Sequence, residues 1–121
     1  MQENRALPFT PDTSTARSRR EDENRVHIAV PVKVFPDTRS VESHTCCTYE
    51  ISIKGARLVA PPGIREVGQE IWLQRQNRRA KYKVAWIGEA GTAQASQVGV
   101  ETLEPGNVIW ENEIRARLMG R

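Results

Sequence analysis

The chain has 121 residues, 38% apolar, 27% charged and 6% aromatic, with a formal net charge of +3 and a pI near 9.2. That length suits one domain, no apolar run approaches the roughly 18 residues of a spanning helix, and the charged amino terminus lacks the apolar core of a secretory signal. The only cysteines, Cys46 and Cys47, are adjacent and read as free thiols of a cytoplasmic protein, while His27 and His44 lack ligand-like spacing, so no metal site is expected.

Residues 1–25 hold just five apolar side chains, Met1, Ala6, Leu7, Phe9 and Ala16, and balance five arginines against five acids. Too poor in core material to fold alone, residues 1–24 are expected to form a flexible arm ahead of a domain spanning residues 25–104.

From residue 26 the pattern is that of short strands. Val26, Ile28, Val30, Val32 and Val34 alternate with His27, Ala29, Pro31 and Lys33, the period of a half-buried strand, with Pro31 marking an edge or a bulge. A second run places Tyr49, Ile51 and Ile53 on an inner face, with Thr48, Glu50 and Ser52 on a polar one. Gly55 breaks it, Ala56–Ala60 follows as a third strand, and Pro61-Pro62-Gly63 makes a turn. Gln69–Gln74, Arg79–Gly88 and Gln97–Leu103 complete the set, with a hairpin tip at Gln76–Arg78 and a loop at Gly88–Ser96. In the fifth strand, Tyr82, Val84 and Trp86 share a phase that puts Trp86 in the core. Six short antiparallel strands predict an all-β small barrel or sandwich.

After Pro105-Gly106, residues 105–121 form a C-terminal extension that permits a short helix. Asn107 would cap it, and Trp110, Ile114 and Leu118 would share one face, with Trp110 plugging an end of the barrel. The acid-free run Arg75, Arg78, Arg79, Lys81 and Lys83 reads as a solvated hairpin; nucleic-acid binding through it is a rival reading that is not favoured, because Tyr82 is its one interleaved aromatic and points inward. No nucleophile–base set, glycine-rich phosphate loop or telling carboxylate pair occurs, so the chain is not expected to be an enzyme.

Two features stand together. Arg17, Arg19, Arg20 and Arg25 cluster just before the first strand, and Glu50-Ile51-Ser52-Ile53-Lys54-Gly55 ends the second. Their order resembles the PilZ family, bacterial six-stranded split barrels that bind cyclic di-GMP through an RxxxR motif followed by (D/N)xSxxG. Val84–Gly88 and Gln97–Glu101 resemble the family's closing strands, so the likeness covers roughly residues 17–111. The chain departs from the pattern twice. Arg20 and Arg25 are separated by four residues instead of three, across the acidic run Glu21-Asp22-Glu23, and Glu50 stands at the Asp/Asn position.

The resemblance implies a cyclic di-GMP site built from Arg19, Arg20, Arg25, Glu50, Ser52 and Gly55, with no cofactor and no membrane partner. Arginine forks match phosphate oxygens and the O6 and N7 acceptors of guanine. Ser52 offers a compact hydroxyl, and Gly55 a close backbone approach. Ligand binding would order the arm and change the surface offered to an unidentified protein partner. The alternative is a degenerate PilZ domain that has lost the nucleotide and serves as a protein-interaction adaptor.

Overall fold

The computed structural model describes residues 25–39 and 41–119. Residues 1–24, with Arg17, Arg19, Arg20 and the acidic run after them, lie outside the described residues. Strands β1 (Pro31–Phe35), β2 (His44–Ile51), β3 (Gly55–Val59), β4 (Glu70–Arg75), β5 (Arg78–Ile87) and β6 (Gln97–Thr102) precede a helix, α1 (Glu111–Met119). They close into a barrel in the order β1-β2-β3-β6-β5-β4, every pairing antiparallel. No helix among the described residues is long and apolar enough to cross a membrane.

The inward residues are those the alternation selects: Val32, Val34, Ile51, Leu58, Ile71, Leu73, Tyr82, Val84, Val98 and Val100 are all buried. Ahead of β1, residues 26–30 keep the expected phase, with Val26 and Val30 buried, but they do not continue the strand ladder. Val26 instead bridges Ile51 through reciprocal backbone bonds of 2.8 and 2.9 Å. Thr48 supplies the remaining links: its Oγ1 accepts from the Val30 amide at 2.9 Å and donates to the Ile28 carbonyl at 2.6 Å.

Two β-bulges overturn the expected facing of particular residues. In β2 the register slips between Thr48 and Glu50, where Thr48 pairs with Leu58 and Glu50 with Arg57. The extra residue, Tyr49, turns outward and is 44% exposed, whereas Thr48 is buried; both are the reverse of strict alternation. Ile53, expected inside, sits exposed in the turn beyond β2. A second slip between Val84 and Trp86 rotates Trp86 out of the core to a half-buried place on the outer wall.

One end of the barrel is closed as the sequence suggests. Trp110 is fully buried, its ring lies 5.8 Å from that of Tyr82, and its Nε1 donates to the Ser52 carbonyl at 2.9 Å. The helix starts at Glu111, so Asn107 does not cap it. Asn107 instead donates through Nδ2 to the Arg79 carbonyl at 2.8 Å and to Glu104 Oε1 at 3.0 Å, stitching the approach to the plug onto β5. Ile114 is buried beside Trp110's turn of chain, but Leu118 is 47% exposed.

The basic hairpin is more than a solvated tip. Arg75 grips Glu113 Oε2 through Nε at 2.9 Å and Nη2 at 2.8 Å, and Arg78 reaches Glu111 at 3.5 Å. Arg79 lies 4.4 Å over the Phe35 ring, and Lys81 5.4 Å over Trp72. The positive run thus holds α1 to the barrel and covers two aromatic rings. The hairpin tip itself is Gln76-Asn77, with Gln76 at φ 58° and Arg78 already paired to Arg75 in the ladder.

Cys46 faces inward and Cys47 outward on β2. Burial, reinforced by the neighbouring Cys47, pushes the Cys46 thiol up to about 11 from 9.0. In the native chain at pH 8, one thiol is expected to react promptly with a disulfide reagent, and the second only after denaturant is added. The unfolded chain loses the Cys46 proton near pH 9 and the native chain holds it to about 11. Stability therefore falls as pH rises across that window, and urea titrations of Cys46→Ala should show a shallower decline than the parent.

Candidate functional site

A single cross-strand row organises the outer wall. Glu50 on β2 pairs with Arg57 on β3, Arg57 with Gly99 on β6, and Gly99 with Trp86 on β5. Residues directly opposite in a ladder share a face, so all four positions point away from the core. Gly99 leaves the middle of the row open. A Cβ there would stand 2.1 Å from Trp86 Nε1, so the indole lies against the bare backbone of β6. Across that gap the Arg57 guanidinium reaches Trp86, with Cζ 5.6 Å from the ring centroid, and lies 5.3 Å from the ring of Tyr49.

Glu50 is an outward residue, yet its side chain is only 8% exposed. The segment bridged to Ile51 through Val26 lies over it and brings Arg25 with it. Arg25 Nη1 donates to Glu50 Oε2 at 2.9 Å, while Arg57 Nη2 stands 3.4 Å and His27 Nε2 3.8 Å from Oε1. The flanking cations are graded in access: the Arg57 side chain is 27% exposed and that of Arg25 42%. A carboxylate so removed from water requires such partners, because an isolated buried charge costs several kcal/mol.

The other two sequence-selected residues serve the turn between β2 and β3. Ser52 Oγ accepts from the amides of Lys54 at 3.1 Å and Gly55 at 3.2 Å, and the Ser52 amide donates to the Gly55 carbonyl at 2.9 Å. Gly55 is required by the barrel wall: a Cβ would fall 2.0 Å from the Val100 carbonyl oxygen on β6. The close approach at Gly55 is therefore made by a neighbouring strand.

Arg25, Glu50, Ser52 and Gly55 line one groove of about 230 Å³, together with Lys54, Arg57, Trp86, Gly99 and Glu101. Arg19 and Arg20, the remaining candidates, lie outside the described residues. Arg57 and Trp86 were missed by the sequence reading. For Arg57 a signal existed, since alternation along Ala56–Ala60 turns it outward beside the polar face of β2. For Trp86 there was none, because the bulge that reverses it is invisible to a period-two count. Chemically the groove offers guanidinium forks and an ammonium for phosphate or purine acceptors, a carboxylate for paired N–H donors, and an indole for stacking. Among the described residues, no group of three or more His, Cys, Asp or Glu side chains is arranged to hold a metal.

Two substitutions separate the roles. Gly55→Ala should lower unfolding free energy in urea by about 3 kcal/mol or more, with no ligand added, because the obstacle is backbone. Arg57→Ala should cost about 1–3 kcal/mol, the loss being shared with Glu50→Gln in a double-mutant cycle.

No family model and no curated protein sequence matches this chain. Among solved structures it is similar to the Bacillus subtilis inhibitor of motility (MotI/DgrA), with a TM-score of 0.57 and 14% sequence identity over 80% of this chain. The chain spans about half the length of that protein. At this identity the likeness establishes a shared fold, the six-stranded antiparallel barrel.

Proposed function

We propose that this chain is a non-enzymatic PilZ-like regulatory barrel that binds cyclic di-GMP in the groove around Glu50 and passes the signal to a partner protein. The observation that carries this reading is the convergence of Arg25 and Arg57 on one buried carboxylate, with Trp86 beside them. Likeness to the inhibitor of motility, a PilZ-domain protein, supports the choice of fold family.

The groove keeps donor capacity for a ligand. A guanidinium has five N–H donors, and Glu50 engages a minority of those on Arg25 and Arg57. Phosphate, or guanine O6 and N7, would compete for the donors of these two arginines, one of which on Arg57 already reaches Gln97 Oε1 at 3.5 Å, each charge-assisted bond contributing about 1.5–3 kcal/mol. Arg19 and Arg20 would approach from the segment that leads into Arg25, adding contacts and fastening that segment to the barrel. Ser52 and Gly55 act indirectly in this scheme: they fix the turn on which Glu50 and Lys54 stand. Such a ligand and role place the protein in a bacterial cytoplasm.

One observation favours the nucleotide-free adaptor as a second reading. The Ser52 hydroxyl and the Glu50 carboxylate already have protein partners, so the turn and the groove are satisfied without a ligand. Isothermal titration decides between them. Cyclic di-GMP should bind saturably with micromolar or tighter affinity, and Arg20→Ala, Arg25→Ala and Arg57→Ala should each weaken it about tenfold or more. Arg78→Ala, on the hairpin that holds α1, should leave the affinity unchanged. Absence of heat with the parent protein at tens of micromolar would leave the adaptor reading in place.

A further inference from the structure

Arg57 and Trp86 do not merely border the groove around Glu50. They also form the near wall of a second groove, of about 380 Å³, whose far wall is the loop after β5 with Glu89, Thr92 and Gln94. The two grooves adjoin through these shared side chains. Their charges differ. The first sets Arg25, Lys54 and Arg57 against Glu50 and Glu101 and keeps a cationic excess, whereas the second sets Arg57 alone against Glu89 and is balanced.

The second groove is built on a loop with internal support. The Gly88 amide donates to the Gln97 carbonyl at 2.8 Å and the Gln97 amide to the Gln94 carbonyl at 2.9 Å. Thr92 Oγ1 donates to the Glu89 carbonyl at 2.7 Å. A Cβ on Gly88 would lie 1.8 Å from the Gln94 carbonyl oxygen, so the loop is seated directly on the end of β5. Among the described residues the bonds to Glu89 are to its backbone carbonyl, and its side chain is exposed at the groove.

We infer that this second groove seats the second purine base of a two-base ligand whose first base and phosphates occupy the groove around Glu50. The inference rests on the cyclic di-GMP reading and extends it to residues outside the sequence motifs. Glu89 disfavours a phosphate there by like-charge repulsion. A carboxylate suits a base edge that presents two adjacent N–H donors, as guanine does through N1–H and its 2-amino group. Adenine presents one donor beside an acceptor and leaves a carboxylate oxygen facing a lone pair. Glu89 is therefore a specificity residue for guanine, and Trp86 the apolar surface between the two seats.

The test is titration of the full chain with cyclic di-GMP and with cyclic di-AMP, for the parent, Glu89→Gln and Trp86→Phe, with thermal melting as the control for folding. Glu89 is exposed on its loop, so Glu89→Gln should melt with the parent. The expected result is at least a tenfold loss of cyclic di-GMP affinity in Glu89→Gln, with a narrowed preference over cyclic di-AMP. Trp86→Phe should retain binding while losing the ligand-induced quenching of tryptophan emission. Parent-like affinity and preference in Glu89→Gln would overturn the second seat and leave the first intact. No binding of cyclic di-GMP by the parent would overturn the reading beneath it, and the second seat with it.

Discussion

A carboxylate hidden on the outside of a barrel constrains everything near it. Glu50 points away from the core, yet water barely reaches it, so its charge must be met by protein. Arg57 meets it from the adjacent strand, and Arg25 from the segment that crosses above. That segment is fixed in turn by the Val26–Ile51 bridge and the bonds of Thr48 to residues 28 and 30. The path of the chain before β1, the burial of Glu50 and the position of Arg57 are consequences of one another. Removing any one leaves the other two without their physical reason.

The row from Glu50 to Trp86 also depends on what is missing from its centre. With any side chain at Gly99, Arg57 and Trp86 would be held apart, and the indole would be pushed off the strand. The two bulges act alongside the glycine. One frees Tyr49 to flank Arg57, and the other turns Trp86 outward to meet it. The aromatic clamp on Arg57 is thus made by irregularities in β2 and β5 and by an empty position in β6. Regular pleating alone would have produced none of it.

These are also the places where the sequence was hard to read. Six strands follow from alternation, on which many residues agree, and the Trp110 plug from a tryptophan after a Pro-Gly break; alternation left barrel and sandwich open, and the choice of a barrel came from the family resemblance. A bulge depends on one residue, and from that residue on it inverts the facing that a period-two count assigns. Thr48, Tyr49 and Trp86 were misassigned for that reason alone. Asn107 looked like a cap because caps are recognised locally, whereas its side chain bonds backward, to Glu104 and to Arg79, the latter far away in sequence. The hairpin cations looked solvated because their carboxylate partners, Glu111 and Glu113, lie more than thirty residues further on. Of the motif residues in the described chain, Arg25 and Glu50 face the groove as charged groups. Ser52 and Gly55 owe their identity to the turn and to the neighbouring strand.

The hydrogen bond from Trp110 to the Ser52 carbonyl joins two parts of the molecule that are otherwise separate in sequence. Ser52 shapes the turn beside the groove, and Trp110 seals the barrel at the root of α1, which Arg75 and Arg78 hold from the opposite hairpin. Trp110, the residue before α1, thus ties the root of the carboxyl-terminal helix to the turn that borders the groove.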